Sequence, residues 1–292
     1  MRILLTGANG QLGQALQPKL SGLGEVIAAD RTVVDLSQTD QLYNQVTALE
    51  PDVIVNAAAY TAVDRAEGEP ALAQAVNGDA PGILGQVASD RQGFLFHVST
   101  DYVFNGSQGR PYLETDPTDP LGVYGRSKLA GEQAIAQTAP NNSAIIRTAW
   151  VYGVGGTGNF VKTMLRLGGD RPELRVVADQ IGSPTWTGDL AAAIAQLLPL
   201  RGEDLAGIYH YTNSGAASWY DFAVAIFEEA KALGADLAIQ NVAPITTADY
   251  PTPAKRPSYS VLAGGKIAEK LGHPAPHWRQ GLRKMLASYL SD

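Results

Sequence analysis

Short apolar runs rich in β-branched residues alternate with longer amphipathic stretches along the first half of the chain. The runs are apolar throughout, which is typical of strands buried on both faces of a parallel sheet. The longer stretches carry apolar residues at helical spacing. This order indicates an α/β fold with a doubly wound parallel sheet, whose right-handed crossovers place helices on both faces. The predicted strands are residues 3–5, 25–28, 53–56, 94–98 and 144–147, and the predicted helices are residues 11–20, 39–49, 71–89 and 124–137.

Composition narrows the class of protein further. The chain has 292 residues, of which 45% are hydrophobic, so it is long enough for one large or two ordinary domains. A formal net charge of -7 disfavours nucleic-acid binding. The chain has no cysteine, which excludes disulfides, thiolate metal sites and cysteine nucleophiles. No apolar run is long enough for a signal peptide or a membrane span, so we expect a cytoplasmic protein without a membrane partner.

The regular alternation of predicted strands and helices becomes less clear near residue 150. Residues 153–158 form a glycine-rich loop, and a proline-rich stretch covers residues 244–257. We therefore predict a dinucleotide-binding domain over residues 1–150 and a smaller, mainly substrate-binding region over residues 151–292. Segments at about 187–212 have the pattern of elements that return to the main sheet.

A glycine-rich turn joins the first predicted strand to the first predicted helix. Gly7, Gly10 and Gly13 are spaced as GxxGxxG, with Gln11 and Leu12 at the start of the helix. Glycines in this place let the backbone turn tightly and approach a pyrophosphate, while the helix N-terminus offers unpaired N–H groups to the anion. The position of the turn directly after an N-terminal strand favours a dinucleotide site over a purely structural turn.

Two opposite charges end the second predicted strand. Asp30 is placed to accept hydrogen bonds from the adenosine ribose, which favours NADH. Arg31 follows it and can pair with the 2′-phosphate of NADPH. The two residues together leave the choice between NADPH and NADH open, and a capping Asp beside a solvated Arg is the structural alternative.

Tyr124 and Lys128 stand four residues apart in a predicted helix, and so on one face of it. A neighbouring cation lowers the pKa of a phenol, so this pair suits proton transfer in carbonyl reduction. Thr100 follows the predicted strand 94–98, at the sheet edge where ligands bind in such folds. These three residues are the candidate catalytic set.

Six ordered motifs extend these signals over nearly the whole chain. They are NAAAYTAVD (56–64), STDYVF (99–104), YGRSKLAGE (124–132), RTAWVYG (147–153), DQIGSPT (179–185) and KRP (255–257). With them the chain resembles the dTDP-4-dehydrorhamnose reductase family of the extended short-chain dehydrogenase/reductase superfamily. The resemblance implies a Rossmann-type fold with a smaller C-terminal subdomain. It also implies NAD(P)H-dependent reduction of the 4-keto group of dTDP-6-deoxy-L-lyxo-4-hexulose to dTDP-L-rhamnose.

The resemblance also assigns roles to individual residues. Tyr124 is implied to be the proton donor, Lys128 its electrostatic partner and ribose ligand, and Thr100 a donor to the reacting oxygen. The implied cofactor loops contain Gly10, Gln11, Leu12, Asp30, Asp35, Leu36, Ala59, Tyr60 and Thr61, and the implied sugar pocket contains Asp101, Tyr102 and Trp150.

The nucleotide half of such a substrate carries a diphosphate. On a protein of net charge -7, a diphosphate needs local hydrogen-bond donors to be retained. We expect those donors after residue 151, and Asn159 and Arg256 are the candidates. A solvated basic turn is the alternative for Arg256.

Four other functions compete with this interpretation. Nucleotide-sugar 4,6-dehydratases carry Glu where this chain has Tyr102, so a general base for elimination is missing. A 4-epimerase or another 4-ketoreductase stays open on physical grounds. A regulatory subunit without turnover is disfavoured by the intact catalytic set.

No metal site is predicted. His273 and His277 are separated by two prolines, which prevent one helix from presenting both. Some family members are dimers bridged by magnesium through C-terminal glutamates, but Asp292 is the only carboxylate in the last seven residues here. We therefore expect a monomer or a weak homodimer.

Overall fold

The computed structural model describes residues 1–291, so Asp292 lies outside the described residues. Residues 1–291 form twelve strands and eleven α-helices. In the first half these are β1 (Arg2–Thr6), α1 (Gln11–Leu20), β2 (Glu25–Ala29), α2 (Thr39–Ala48), β3 (Val53–Asn56), α3 (Val63–Ala66), α4 (Pro70–Gln74), α5 (Ala80–Asp90), β4 (Phe94–Thr100), α6 (Val123–Thr138) and β5 (Ser143–Thr148). In the second half they are β6 (Val151–Tyr152), α7 (Phe160–Asp170), β7 (Glu173–Val177), β8 (Ile181–Gly182), β9 (Thr185–Trp186), α8 (Thr187–Leu197), β10 (Gly207–His210), β11 (Ala217–Ser218), α9 (Trp219–Ala232), β12 (Asn241–Ile245), α10 (Gly265–Leu271) and α11 (Trp278–Tyr289).

The central sheet has six parallel strands in the order β10-β5-β4-β3-β1-β2. This confirms the predicted doubly wound α/β fold. The chain first moves outward from β1 to β2 and then reverses to β3 on the other side of β1. Such a reversal opens a crevice beyond the carboxyl ends of the strands, which is where ligands of this fold bind.

Both faces of the sheet are covered by helices. One core cluster joins β1 and β3 to α1 and α8 and contains Leu5, Leu16 and Ile194. The cluster on the opposite face joins the same strands to α2 and α5 and contains Leu42 and Leu84. Because helices cover both faces, every residue of β3 and β5 is buried, which explains the apolar runs 53–55 and 144–146 within them.

The second half of the chain builds a separate core around Phe222. Its members come from α7, α9 and α11, with Val161, Ile226, Leu282 and Met285 among them. Helix α8 packs on α1, and β10 pairs with β5, so these two elements lie with the central sheet. Among the described residues, no helix has both the length and the apolar character needed to cross a membrane.

Two elements differ from the predicted ones by more than one residue at an end. Strand β4 continues to Thr100, two residues beyond the predicted end, and carries Ser99 and Thr100 at its tip. The predicted helix 71–89 is instead interrupted by a π-helical turn at Ala75–Asp79. The interruption turns the buried Asn77 towards the loop after β3, where its side chain hydrogen-bonds to both backbone groups of Tyr60. The contact of Asn77 with Tyr60 therefore joins two segments that are distant in the sequence.

Candidate active site

The glycine turn lies at the end of β1, beside the loop that follows β3. Gly7 has a φ of +68°, and a Cβ there would stand 2.7 Å from the Ala58 nitrogen. A Cβ on Gly13 would stand 2.1 Å from the Gly7 carbonyl oxygen. Gly10 precedes helix α1 without a side-chain cap, so the first N–H groups of that helix face outwards. Both steric limits require glycine, and the resulting cradle fits a pyrophosphate.

Gln11 and Leu12 begin α1 and have different surroundings. Leu12 is buried in the core beneath the turn. Gln11 Oε1 accepts a hydrogen bond of 2.7 Å from Asn159 Nδ2. Asn159 Nδ2 also donates to the Gly153 carbonyl oxygen, and its Oδ1 accepts from Lys162 N at the start of α7. Asn159 thus connects the second half of the chain to the glycine turn.

Asp30 lies across the turn at the end of β2. Its carboxylate accepts hydrogen bonds from the Thr32 hydroxyl at 2.6 Å and the Asn9 amide at 3.0 Å. The hydrogen bonds from Thr32 hold the pKa of Asp30 below its ordinary value. Arg31 is exposed next to it. Thr32 N also donates to Asp30 Oδ1, so Asp30 caps the turn after β2 beside an exposed Arg31. This matches the structural alternative given above, and the contacts with a ribose or a 2′-phosphate stay predictions.

The next two candidate residues, Asp35 and Leu36, lie in the loop after β2. Asp35 accepts from the Ser37 backbone and hydroxyl, and these bonds lower the pKa of Asp35. Leu36 is buried in the core against the sheet. Their contacts fix the shape of this loop rather than presenting side chains to the crevice.

The loop 59–61 after β3 is tied to helix α6 through Asn77. Tyr60 N donates to Asn77 Oδ1 at 2.8 Å, and Asn77 Nδ2 donates to Ser127 Oγ at 3.1 Å. Ala59 is half-buried and Thr61 is exposed. The Tyr60 hydroxyl donates to Glu69, and its ring is buried in a small cluster against which Tyr124 packs. The backbone of this loop, rather than the Tyr60 side chain, is thus the part available to a ligand.

Tyr124, Lys128 and Thr100 come together as predicted. Tyr124 stands in the first turn of α6 and Lys128 one turn later, while Thr100 ends β4 beside them. Burial of the hydroxyl raises the pKa of Tyr124 to about 12, and the adjacent Thr100 hydroxyl opposes that rise. The phenol is thus held in its protonated form. This differs from the sequence expectation of a pKa lowered by Lys128, because desolvation exceeds any effect of the cation here.

Lys128 is almost completely enclosed. Its side chain is 2% exposed, and Nζ lies 2.7 Å from the Val98 carbonyl oxygen and 3.2 Å from His97 Nε2. Burial lowers the pKa of Lys128 to about 8, although Glu132 opposes the change. The amine therefore changes charge near neutral pH.

Two buried oxygens near Tyr124 have no protein partner among the described residues. They are Asp101 Oδ2 and Thr148 Oγ1, and Thr148 is the register partner of Thr100 in the sheet. Asp101 Oδ1 accepts from the Thr100 hydroxyl at 3.1 Å. Burial raises the pKa of Asp101 to about 6. Buried polar atoms left unpaired in this way are suited to bind the polar groups of a ligand.

Aromatic rings flank the phenol. The Tyr102 ring stands edge-on to the Tyr124 ring, with centroids 5.5 Å apart. Trp150 has a φ of +48°, which is strained for a bulky residue, and its ring stacks on Trp219 at 3.5 Å. A Cβ on Gly182 would stand 2.6 Å from the Trp150 ring, so a glycine is required beneath it. The Tyr102 ring is thus an aromatic wall beside the phenol, whereas Trp150 packs within the aromatic cluster of the second half of the chain.

Arg256 lies near Tyr102, at the edge of the candidate site, and forms an ion pair. Its Nη2 lies 2.8 Å from Asp64 Oδ2, and its Nη1 lies 3.1 Å from Asp64 Oδ1. Nη1 also donates to Thr252 and to the Ala254 carbonyl. The positive charge of Arg256 opposes the rise in the pKa of Tyr102 caused by burial, so the two side chains are near neighbours. A solvated turn does not describe this residue.

The sequence interpretation did not include the buried ion pair between Glu132 and Arg147. Arg147 Nη2 lies 2.6 Å from Glu132 Oε2, and the Ser99 hydroxyl donates to Glu132 Oε1 at 2.5 Å. Both charged side chains are 3% exposed. Their signal in the sequence was an Arg within the apolar strand 144–147 and a Glu one turn after Lys128. The pair joins α6, β4 and β5 directly behind the catalytic set.

Comparison with known proteins adds to this geometry. Residues 1–291 match the family model described as RmlD substrate binding domain. A curated dTDP-4-dehydrorhamnose reductase from Burkholderia thailandensis is 44% identical, with 100% of each chain covered. The crystal structure of a dTDP-4-dehydrorhamnose reductase from Clostridium acetobutylicum superposes with a TM-score of 0.91 at 38% identity, covering 99% of this chain and 100% of that one. The Bacillus anthracis dTDP-4-dehydrorhamnose reductase in complex with NADP gives 0.90 at 37% identity, covering 98% and 99%.

Proposed function

This chain belongs to the RmlD substrate binding domain family, and we propose that it is an NAD(P)H-dependent dTDP-4-dehydrorhamnose reductase. It reduces the 4-keto group of dTDP-6-deoxy-L-lyxo-4-hexulose and forms dTDP-L-rhamnose. Full-length similarity to reductases of this name supports the assignment. The structural observation that carries it is the protonated Tyr124 phenol beside Thr100, at the carboxyl end of a parallel sheet.

The residues present fit a dinucleotide cofactor. A Cβ at Gly7 or Gly13 would collide with the backbone of Ala57 and Ala58 or of Gly7 and Ala8, so glycine is needed there for the tight turn that a dinucleotide-binding loop requires. The N–H groups at the start of α1 would hold the pyrophosphate, and Asp30 would accept from the adenosine ribose. Arg31 stands where it would meet a 2′-phosphate, and both NADPH and NADH suit this pair of charges. The bound cofactor supplies the hydride.

The protein's own part in the reaction is to hold and deliver a proton. A pKa near 12 keeps the Tyr124 phenol protonated at neutral pH, ready to protonate the more basic oxygen that develops at C4. Thr100 places a second hydroxyl at the same oxygen and stabilises its growing charge. Lys128 offers N–H groups one helical turn away and would hold the ribose hydroxyls.

We place the sugar against Asp101, Tyr102 and Trp150. The unpaired Asp101 Oδ2 can accept from a sugar hydroxyl, and the aromatic wall excludes water. For the diphosphate, Arg256 is the stronger candidate, since its guanidinium already lies at the rim. The side-chain oxygen and nitrogen of Asn159 already form hydrogen bonds within the protein, one of them to Gln11 at the glycine turn. The role of Asn159 in nucleotide binding is therefore to position that turn.

In this proposal the two halves of the chain bind different molecules. Residues 1–150 hold the dinucleotide, and residues 151–292 mainly hold the nucleotide sugar, although α8 and β10 lie with the central sheet. We further propose that the enzyme is a monomer or a weak homodimer in the cytoplasm. The lack of cysteine in the chain agrees with a reducing compartment.

The decisive experiment follows NAD(P)H absorbance while the nucleotide sugar is supplied. The purified protein should oxidise NAD(P)H only when a 4-keto-6-deoxy nucleotide sugar is present, because the sugar is the hydride acceptor. The substrate is made in the same tube from dTDP-glucose by a 4,6-dehydratase and an enzyme that epimerises C3 and C5, and the Tyr124→Phe variant serves as the control. Interconversion of a 4-hydroxy nucleotide sugar with its C4 epimer, without net loss of NAD(P)H, would show an epimerase instead.

A further inference from the structure

The first turn of α6, which carries Tyr124, begins without a side-chain cap of its own. Gly122 occupies the N-cap position in extended backbone, with a φ of -126°, and has no side chain that could bond to the helix. The first N–H groups of a helix have no intrahelical partner, and Ser, Thr, Asn or Asp at the N-cap usually provides one. Because Tyr124 is the second residue of α6, it lies in the turn that opens most readily when such a partner is missing.

A carboxylate from another part of the chain supplies a partner. Glu67, directly after α3, accepts a hydrogen bond of 2.8 Å from Val123 N through its Oε1. A Cβ on Gly122 would stand 2.7 Å from the same oxygen, so the lack of a side chain at the N-cap makes room for the carboxylate. An acidic group at this end of a helix also interacts favourably with the helix dipole.

Packing holds Glu67 in place beside the helix. Its neighbour Ala66 is completely buried in a small cluster, against which Val123 and Tyr124 pack. Asp64, three residues before Glu67, forms an ion pair with the second half of the chain. The segment that presents the carboxylate to α6 is therefore anchored at two points.

We propose that Glu67 is a positioning residue, whose carboxylate caps α6 and thereby fixes the Tyr124 phenol relative to Thr100. Within the turn, the Ser127 hydroxyl donates to the Tyr124 carbonyl oxygen, but both of these groups belong to α6. The bond from Val123 instead ties the beginning of the helix to a separate segment of the fold. The proposal rests on the reductase function, since it assigns to Glu67 an effect on proton transfer by Tyr124.

Glu67→Ala and Glu67→Gln separate the cap from the charge of the side chain. The glutamine amide keeps an oxygen that can accept from Val123 N–H, whereas alanine leaves that N–H without this partner. Glu67→Ala should lower kcat by about tenfold, the size expected from loss of one helix cap. Other elements bind the two substrates, so the KM for the nucleotide sugar and the Kd of NADPH should change by less than about twofold. Glu67→Gln should keep kcat within about twofold of wild type.

A cap supplied by the helix itself tests the mechanism further. Gly122→Ser places a hydroxyl at the N-cap, where it can accept from the N–H of the second or third helical residue. Glu67→Ala vacates the space that a Cβ at this position needs. The double variant Glu67→Ala/Gly122→Ser should therefore recover most of the kcat that the single variant loses. His277→Ala is the matched control for stability, because it removes a side-chain cap from α11 and should leave kcat unchanged.

Hydrogen exchange of the Val123 amide, followed by NMR, measures the cap without substrate or cofactor. The amide should exchange about tenfold faster in Glu67→Ala than in wild type and should stay protected in Glu67→Gln. If Glu67→Ala does not fold, Glu67→Asp takes its place, since it withdraws the carboxylate by one methylene and should change exchange and kcat in the same direction. Failure of the reductase assignment would instead appear as lack of NAD(P)H oxidation with a protected Val123 amide.

Four results would overturn the proposal. Unchanged Val123 exchange in Glu67→Ala would show that Glu67 does not cap the helix, and faster exchange with an unchanged kcat would show that the cap does not position Tyr124. An equal fall in kcat for Glu67→Gln would assign the effect to the charge, and an equal fall for His277→Ala would assign it to general stability. Recovery of kcat in the double variant, with the Kd of NADPH unchanged throughout, supports it.

Discussion

Replacing Asp101 by Asn should change how the stability of the protein depends on pH. Asp101 is 2% exposed, and its Oδ2 has no partner among the described residues. Burial raises the pKa of this carboxyl from 3.8 to about 6, although hydrogen bonds from Ser260 and Thr100 oppose the rise. The native state therefore keeps a proton that the unfolded chain has already released.

The sign and the size of the effect follow from this difference in proton binding. Between pH 3.8 and about 6 the folded state binds more protons than the unfolded state, so wild-type stability falls as pH rises through that range. The two pKa values differ by about 2.2, which corresponds to about 3 kcal/mol at about 1.36 kcal/mol for each pKa unit. Asn cannot ionise, so the stability of Asp101→Asn relative to wild type should rise by about that amount from pH 4 to pH 7.

Urea unfolding of both proteins at several pH values between 4 and 7 measures this relative stability. A constant offset between the two proteins, from the altered hydrogen bonding of the amide, does not affect the slope. Asp116→Asn is the matched control, since hydrogen bonds from Arg110 lower the pKa of Asp116 to about 2 and its contribution changes only below this range. A relative stability for Asp101→Asn that is flat or falls with pH would refute the assignment of a buried, protonated Asp101.

Three further predictions concern activity. Tyr124→Phe should lower turnover by roughly a hundredfold or more while cofactor affinity is kept, because only the proton donor is lost; wild-type kcat at saturating substrate would contradict this role. Arg31→Ala should weaken NADPH binding more than NADH binding, by about 1 to 3 kcal/mol in a binding titration, and equal losses would show that the side chain does not reach the 2′-phosphate. Arg256→Ala should raise KM for the nucleotide sugar with kcat nearly unchanged, since a contact remote from C4 acts on ground and transition states alike. Asp64→Asn breaks the same ion pair but keeps the guanidinium, so an equal rise in KM there would assign the effect to the ion pair instead.

The central sheet could be predicted because its signal is local. Strands β3 and β5 are buried along their whole length, so the short apolar runs 53–55 and 144–146 identify them without knowledge of their neighbours. The interrupted helix before β4 could not be predicted in the same way. Its π-helical turn depends on Asn77 bonding to Tyr60 and Ser127, which are respectively 17 and 50 residues away.

The candidate site shows the same limit. Thr100, Tyr124 and Lys128 could be brought together from sequence because parallel strands end at one edge of the sheet. The pairing of Arg256 with Asp64 joins positions 192 residues apart and has no local signal. The direction of the pKa shift of Tyr124 could not be predicted from the sequence either. The spacing of Tyr124 and Lys128 shows that a lysine is near, but it does not show the burial that raises the pKa of the phenol.

The buried Glu132–Arg147 pair explains how this site keeps its geometry despite several destabilising groups. Asp101 and Lys128 both have pKa values shifted by burial, and Trp150 has a strained backbone. Glu132 is bonded at once to Ser99 on β4 and Arg147 on β5, while it belongs to the helix that carries Tyr124. Removing one partner of such a pair leaves a buried charge, which costs about 3 to 5 kcal/mol. The Glu132–Arg147 pair therefore holds Thr100 and Tyr124 in fixed positions relative to each other. Because breaking this pair would cost much of the protein's stability, the site keeps its geometry even though the groups that face a ligand have no protein partner.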